Sequence, residues 1–337
     1  MSLLPFLHRA AAGSHLSAEE AHEAMSALLE GRSNDAEIAA FVTALKMKGE
    51  TAAELAGFAQ AMRDRMIAVD AGANVIDTCG TGGDGSGTFN ISTAAAIVMA
   101  AAGARVAKHG NRSLSSQTGS ADVLEALGVR MAMTPEEAAR SVREIGIGFL
   151  FAPALHPAMK HAQPVRRALK MRTVFNLLGP LANPARAQRQ LIGAPSPEAA
   201  ALMAEALAQL GVERAFIVHG HDGLDEISTT GPTDVWEVTT GRVEKHLWIP
   251  ADFGVKRTTL DALRGGDAAR NAAIIESVLA GDRGPARDIV LVNAAAGLVV
   301  ANLAPDLKSA FAKAAHAIDS TAASATLKKL QKNFPFS

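Results

Sequence analysis

The residues able to do chemistry cluster in four short stretches. The run Asp77-Thr-Cys-Gly-Thr-Gly-Gly-Asp-Gly-Ser-Gly87 places five glycines within the eight residues from Gly80 to Gly87. Glycine lets a backbone fold tightly and approach a ligand closely, with N–H groups turned toward an anion. Thr88-Phe-Asn90-Ile91-Ser92-Thr93 follows and opens an Ala/Ile/Val/Met-rich segment. Asn, Ser and Thr at that point either cap a helix or leave its positive N-terminus to a phosphate. Taken alone, the loop is equally an ordinary strand-to-helix turn. It fits neither the dinucleotide fingerprint nor the Walker A loop.

The second stretch, Lys108-His109-Gly110-Asn111-Arg112-Ser113-Leu114-Ser115-Ser116, gathers two cations, an amide and three hydroxyls within nine residues. Such a set suits phosphate oxygens or a solvated turn. Gly119-Ser120-Ala-Asp122 then opens another helix, a second candidate N-terminus for an anion. The third stretch is Val165-Arg166-Arg167. An arginine there decorates a helix or, aimed into a crevice, grips a carboxylate through two parallel hydrogen bonds. The fourth is His219-Gly-His-Asp-Gly-Leu-Asp225-Glu226. Its adjacent carboxylates suit Mg²⁺, which favours one or two carboxylates with water and phosphate oxygens. His219 and His221 read as turn residues, because zinc would need a third protein ligand. There is no Gly-x-Ser-x-Gly elbow, and Cys79 has no evident histidine partner. The chemistry implied is the holding of a phosphorylated, metal-bound anion rather than covalent catalysis.

Short β-rich runs precede three of these stretches: Val75-Ile-Asp77, Ala104-Arg-Val-Ala107 and Ala215-Phe-Ile-Val218, with Gly148-Phe-Leu-Phe151 as a further one. Helical segments alternate with them, two opened by Thr134-Pro-Glu-Glu137 and Ser196-Pro-Glu198. That alternation predicts an α/β fold with a mostly parallel central sheet covered on both faces. Ligands of such sheets bind outside the carboxyl ends of the strands. Trp236-Glu-Val238 and 243–249 read as an added β-hairpin. Earlier, Ser17-Ala-Glu-Glu20 is a capping box whose helix ends at Gly31. A second helix is expected over Asp35–Lys48, with Ile38, Phe41, Val42 and Leu45 on one face. Thr51-Ala-Ala-Glu54 starts a third, carrying Leu55, Phe58, Met62 and Met66 at helical spacing. No strand signal precedes Val75. Residues 1–70 are therefore expected to form a small helical domain, completed by about 160–185, with 71–337 as the larger α/β domain.

Composition excludes other classes. With 337 residues, 48% of them hydrophobic, the chain can bury a sizeable core. Its 33 Lys plus Arg balance 34 Asp plus Glu, which argues against a broadly basic nucleic-acid binder or a polybasic membrane surface. One cysteine allows neither an intramolecular disulfide nor a Cys/His zinc cluster, and fits a reducing compartment. The apolar stretches 94–102 and 294–304 fall short of the roughly 18 residues of a membrane span. The N-terminal residues lack the basic and long apolar regions of a signal peptide. The expectation is a cytoplasmic protein that engages neither nucleic acid nor membrane.

The motifs acquire meaning in their order. Cys79-Gly-Thr-Gly-Gly-Asp-Gly85, Asn90-Ile-Ser-Thr93, Lys108-His-Gly-Asn-Arg-Ser113, Gly119-Ser-Ala-Asp-Val-Leu-Glu-Ala-Leu-Gly128 and Asp225-Glu226 together resemble the anthranilate phosphoribosyltransferase family. So do Ala39-Ala-Phe-Val-Thr-Ala-Leu-Lys-Met-Lys-Gly-Glu-Thr51 and Arg172-Thr-Val-Phe-Asn-Leu-Leu-Gly-Pro-Leu-Ala-Asn-Pro184. The match is collinear from about Ser17 to Gly297, with varied wording at Leu114 and Gln117-Thr118. The resemblance implies transfer of the phosphoribosyl group of 5-phosphoribosyl 1-pyrophosphate to anthranilate, in tryptophan biosynthesis. It implies a nucleoside phosphorylase/phosphoribosyltransferase-like fold, a homodimer formed by the small helical domain, and an active site at the hinge between domains. By position, Gly80, Gly83, Asp84, Thr88, Asn90, Ile91, Ser92, Thr93 and Ser120 resemble contacts to the phosphoribosyl donor. So do Lys108, His109, Gly110, Asn111, Arg112, Ser113, Leu114, Ser115 and Ser116. Gly80, Asn111 and Arg166 resemble the anthranilate contacts. Ser92, Asp225 and Glu226 resemble ligands to Mg²⁺, with two ions per site. No essential general base is expected, and His109 is expected as an orienting hydrogen-bond donor. A pyrimidine nucleoside phosphorylase shares the architecture but needs neither pyrophosphate nor the acidic pair, so Asp225-Glu226 disfavours it.

Overall fold

The computed structural model describes residues 2–112 and 118–336. Among these, the centre is a seven-stranded sheet: β1 Val75–Gly80, β2 Arg105–Gly110, β3 Ile147–Phe151, β4 Arg189–Gly193, β5 Arg214–Gly220, β6 Thr233–Thr239 and β7 Arg242–Trp248. The spatial order is β3-β2-β1-β4-β5-β6-β7. β1 to β5 run parallel, while β6 and β7 add antiparallel as a hairpin turning at Thr240-Gly241. The chain steps outward through β2 and β3, then returns to place β4 on the other side of β1. That reversal makes the carboxyl end of β1 a switch point, the position where ligands bind in such sheets.

β4 has no counterpart in the strand runs read from sequence. It is five residues long, begins with Arg189, and hides Gln190, whose amide donates to the Pro180 carbonyl at 2.7 Å. A buried polar group breaks the apolar signature expected of a central strand. His219 also differs from expectation. It lies within β5 opposite Asp234 rather than in a turn, with its Nδ1 3.0 Å from the Ala194 carbonyl.

Helices cover both faces. Ile91–Ala101 and Pro285–Val300 are buried almost all round, which explains their uninterrupted Ala/Val/Ile/Leu composition. The opposite core is continuous from Ile192 and Ile217 of the sheet, through helix Pro197–Gln209, into a layer of helices. Those helices are Leu4–Ala11, Ala18–Leu29, Asp35–Lys48 and Ala52–Arg63. Reciprocal capping boxes start three of them, at Ser17/Glu20, Asn34/Glu37 and Thr51/Glu54. Met66 lies past the end of its expected helix but stays buried. The chain returns to this layer through helices Gln163–Leu169 and Phe175–Leu181, which insert Val165, Phe175 and Leu178 into the same core.

Candidate active site

A cleft of about 1020 Å³ lies outside the carboxyl ends of β1 and β2, facing helices Gln163–Leu169 and Phe175–Leu181. Asp225, in the loop after β5, sits across the ends of β1 and β4. Both strands must end in glycine to admit it. A Cβ on Gly80 would come within 2.4 Å of Asp225 Oδ2, and one on Gly193 would lie 1.6 Å from the Asp225 carbonyl oxygen. Asp225 Oδ2 accepts the Gly82 N–H at 2.9 Å, and Glu226 Oε1 accepts the N–H of Ser92 at 3.1 Å. Gly82 and Gly83 take φ of 68° and 75°, the left-handed region that glycine alone enters without strain. Asp84 accepts the Ser86 hydroxyl at 2.7 Å.

Two carboxyls of this corner are raised by burial and by like charge. Burial, and then the charge of Asp84, holds the Asp225 carboxyl above the usual carboxylate range; burial, and then Asp225, does the same to Glu226. Lys108 opposes the effect on Glu226. Its ammonium is buried, donating to the Thr78 carbonyl and to Ser92 Oγ, the latter at 3.3 Å. Carboxylates in this condition are a fitting donor set for a hard divalent cation. Among the described residues, no three His, Cys, Asp or Glu side chains converge on one point. An ion would therefore complete its shell with the Ser92 hydroxyl, water and phosphate oxygens, the arrangement Mg²⁺ prefers.

Asn90 makes no cap on helix Ile91–Ala101, whose first turn faces the cleft with its Ser92 N–H on Glu226. The Asn90 amide donates instead to the Thr118 carbonyl at 3.2 Å, and its Oδ1 accepts from Asn271 at 3.0 Å. Asn271 belongs to a segment that sequence reasoning missed. Thr88 forms a bridge with Arg264, and the Gly265 N–H donates to the Gly87 carbonyl at 2.9 Å, so this segment clamps the glycine-rich loop. Its signal was present as Gly265-Gly266 ahead of Asp267, which caps the helix Ala268–Ala280. Arg172 was missed as well. Its Nη1 donates to the Gly82 carbonyl at 2.6 Å, tying the inter-helix segment to the loop.

Gly80, Gly83, Asp84, Thr88, Asn90, Ser92, Thr93, Lys108, His109, Gly110, Asn111, Arg112, Ser120, Arg166, Asp225 and Glu226 all border the one cleft. Three expected residues need correction. Ile91 also lines the cleft, but its side chain is in the core and its N–H donates to the Phe89 carbonyl, so it brings no free polar group there. The Arg112 guanidinium pairs with Asp122 at 2.9 Å and Glu125 at 2.6 Å, held along helix Ser120–Ala126. His109 cannot be the donor it was expected to be. Its Nδ1 lies 3.0 Å from the Gly179 carbonyl, which accepts only, so the proton sits on Nδ1 and Nε2 is an acceptor. Burial, and then the neighbouring His156 ring, pushes its pKa down to about 3, so imidazolium does not restore a donor. Ser113, Leu114, Ser115 and Ser116 lie outside the described residues.

At the other end of the cleft stands Arg166, on helix Gln163–Leu169. Its guanidinium lies over the Phe175 ring at 5.5 Å and has no carboxylate partner among the described residues. A half-buried, uncompensated guanidinium beside an aromatic ring suits a planar aromatic acid.

Family models match nearly the whole chain: the helical bundle domain of a glycosyl transferase family over residues 4–66 and its a/b domain over residues 72–324. An anthranilate phosphoribosyltransferase of Solibacter usitatus is 61% identical over 333 residues, covering 98% of each chain. The chain belongs to the anthranilate phosphoribosyltransferase family. The crystal structure of the anthranilate phosphoribosyltransferase from Thermus thermophilus superposes with a TM-score of 0.92 at 44% identity, covering 97% of this chain and 98% of that one. The anthranilate phosphoribosyltransferase of Saccharomyces cerevisiae, solved in complex with PRPP and Mg, gives 0.90 at 30% identity, covering 98% and 97%. For an anthranilate phosphoribosyltransferase the two ends of the cleft differ as they should, one glycine-rich and acidic, the other cationic and aromatic.

Proposed function

We propose that this protein transfers the phosphoribosyl group of 5-phosphoribosyl 1-pyrophosphate to the amino group of anthranilate, releasing pyrophosphate, as a step of tryptophan biosynthesis. The observation that carries this reading is the presence, in one cleft, of the uncompensated Arg166 guanidinium and of the loop held by Asp225 and Glu226. The donor's phosphates would lie on Gly80, Gly83, Asp84, Thr88, Asn90, Ser92, Thr93, Lys108 and Ser120. Anthranilate's carboxylate would meet Arg166, with Asn111 and Gly80 bordering the ring. Ser92, Asp225 and Glu226 would hold Mg²⁺, two ions per site. When bound, Mg²⁺ supplies charge neutralisation to the departing pyrophosphate.

The C1–O bond to pyrophosphate breaks as C1–N forms, leaving positive charge on the ribose and negative charge on the leaving group. The Ser92 helix start and the Lys108 ammonium lower the cost of that negative charge in a water-poor setting. His109 Nε2 accepts an N–H of the amine and so orients its lone pair toward C1. A ring with a pKa of about 3 does not keep the proton, which passes on to solvent. The amine therefore reacts by being positioned rather than deprotonated in advance. The test is direct: protein, anthranilate, the phosphoribosyl donor and Mg²⁺ are mixed and anthranilate fluorescence is followed. Loss of fluorescence that requires the donor and Mg²⁺ supports the reading; none, with the donor bound, removes it.

The reading includes a homodimer. An apolar groove runs between helices Leu4–Ala11 and Asp35–Lys48, lined by Leu7, Ala10, Ala40 and Ala44 with Met47 84% exposed beside them, a surface that association would cover. A cytoplasmic setting is proposed with it, supported by the single buried, unpaired Cys79. No helix among the described residues is long and apolar enough to cross a membrane.

A further inference from the structure

β1 is paired with β4 over five residues, from Ile76↔Arg189 to Gly80↔Gly193, and β2 with β3 over five, from Val106↔Ile147 to Gly110↔Phe151. Between them, β1 and β2 pair only at Val75↔Arg105 and Ile76↔Val106. Beyond Ile76 the two strands stay side by side, but their backbone groups turn to side chains instead of to each other. Asp77 Oδ1 accepts the His109 N–H at 3.0 Å. The Asn183 amide donates to the Ala107 carbonyl at 2.9 Å, and Lys108 Nζ to the Thr78 carbonyl. Asp77 and Asn183 are both buried, at 0% and 3% exposure, so this is a closed polar wedge and not a frayed edge. A buried carboxylate costs folding free energy unless its oxygens are matched, so an Asp in the middle of a central strand calls for a reason.

We propose that Asp77, with Asn183, is a positioning residue: the two side chains replace the ladder between β1 and β2 at the cleft, fix the backbone of His109, and thereby set its ring for the amine-bearing substrate. The backbone of His109 is fixed by Asp77, and its ring by the Gly179 carbonyl. Gly179 and Asn183 belong to one short stretch of chain, so wedge and ring form a closed circuit through the Phe175–Leu181 helix. Without Asp77 the His109 N–H loses its acceptor, and only the Gly179 carbonyl still holds the ring. Lys108 joins this seam to the donor end through Ser92 Oγ, while Glu226 on Ser92 and Asp225 on Gly82 hold the rest of that end from the other side, so the donor is expected to feel the change less than anthranilate. This inference rests on the proposed acceptor, because it concerns the end of the cleft assigned to anthranilate.

The test compares Asp77→Ala, Asp77→Asn and Asn183→Ala with the unaltered protein in kinetics with both substrates varied. Asp77→Ala is expected to lower kcat/KM for anthranilate by on the order of tenfold or more, while the KM for the phosphoribosyl donor moves less than about threefold. Asp77→Asn keeps an oxygen able to accept the His109 N–H, and is expected to recover most of the loss. Asn183→Ala provides the same selective signature should Asp77→Ala not fold. A proton NMR signal of the His109 ring N–H, shifted in the Ala variants and restored in Asp77→Asn, reports the ring directly. Equal losses toward both substrates, or no loss, overturn the inference while leaving the function intact. Absence of turnover in the unaltered protein instead overturns the function.

Discussion

Arg166 carries the distinction between an acceptor with a carboxylate and one without. Removing it from a site that buries the partner carboxylate forfeits a charged hydrogen-bond pair, about 1.5–3 kcal/mol. Arg166→Gln should therefore raise the anthranilate KM roughly ten- to a hundredfold, with the donor KM nearly unchanged, as steady-state kinetics with each substrate varied will show. The two cleft histidines make a second prediction. Burial lowers His109 to about 3 and His156 to about 4 from the ordinary 6.5. Both rings are neutral when folded, so below about pH 6.5 the unfolded chain binds more protons than the fold. Stability is then fully present above that pH and is lost as pH falls through the window, by up to about 1.4 kcal/mol per unit for each ring. Thermal melts between pH 4.5 and 7 should show the unaltered protein losing stability relative to His156→Phe as pH falls. The raised carboxyls of Asp225 and Glu226 act in the opposite sense, favouring the fold at lower pH, so the variant comparison isolates the histidines.

Among the elements, legibility followed chemistry that leaves a local mark. Two of the capped helices announced themselves because Ser17 and Thr51 each have a glutamate three residues on, whereas the Asn34/Glu37 box emerged only in the structure, its helix having been legible from its apolar face. The glycine-rich loop was legible because Gly80, Gly82 and Gly83 serve close approach and positive φ, needs that glycine alone meets. The acidic pair was legible as a pair, but its seat was not. What places Asp225 is Gly193, at the end of a strand whose buried Gln190 hid it from periodicity. The clamp at Arg264 to Asn271 was invisible for another reason: its partners, Thr88 and Asn90, are far away in sequence, and no local pattern records a tertiary contact. The His109 proton was also beyond sequence, since it depends on one carbonyl, that of Gly179. Gly193→Ala tests the seat. A methyl group 1.6 Å from the Asp225 carbonyl oxygen must push the loop away. Turnover should fall on the order of a hundredfold, with a higher Mg²⁺ requirement, and the melting temperature should change far less than the activity.

At the scale of the whole molecule, the helical layer has two duties on two faces. One face shares a core with the sheet through helix Pro197–Gln209; the other leaves Leu4 and Met47 in water. If the proposed homodimer covers this groove, a charge placed in it opposes association, so Met47→Asp should shift the protein toward monomer in sedimentation equilibrium. Its turnover per chain should be unchanged, because the cleft lies on the far side of helices that keep their own core. The carboxylates that organise the cleft hold partners 143 and 134 residues away, Asp225 on Gly82 and Glu226 on Ser92. Closing such distances is slow beside the winding of a capped helix, since long loops must be brought together before any contact rewards it. The helical layer is thus free to form early from neighbouring residues, while the substrate-binding corner belongs to the last events of folding. A chain caught part-way is rich in helix and empty of function, and ligands that grip the corner act as wedges against its unravelling.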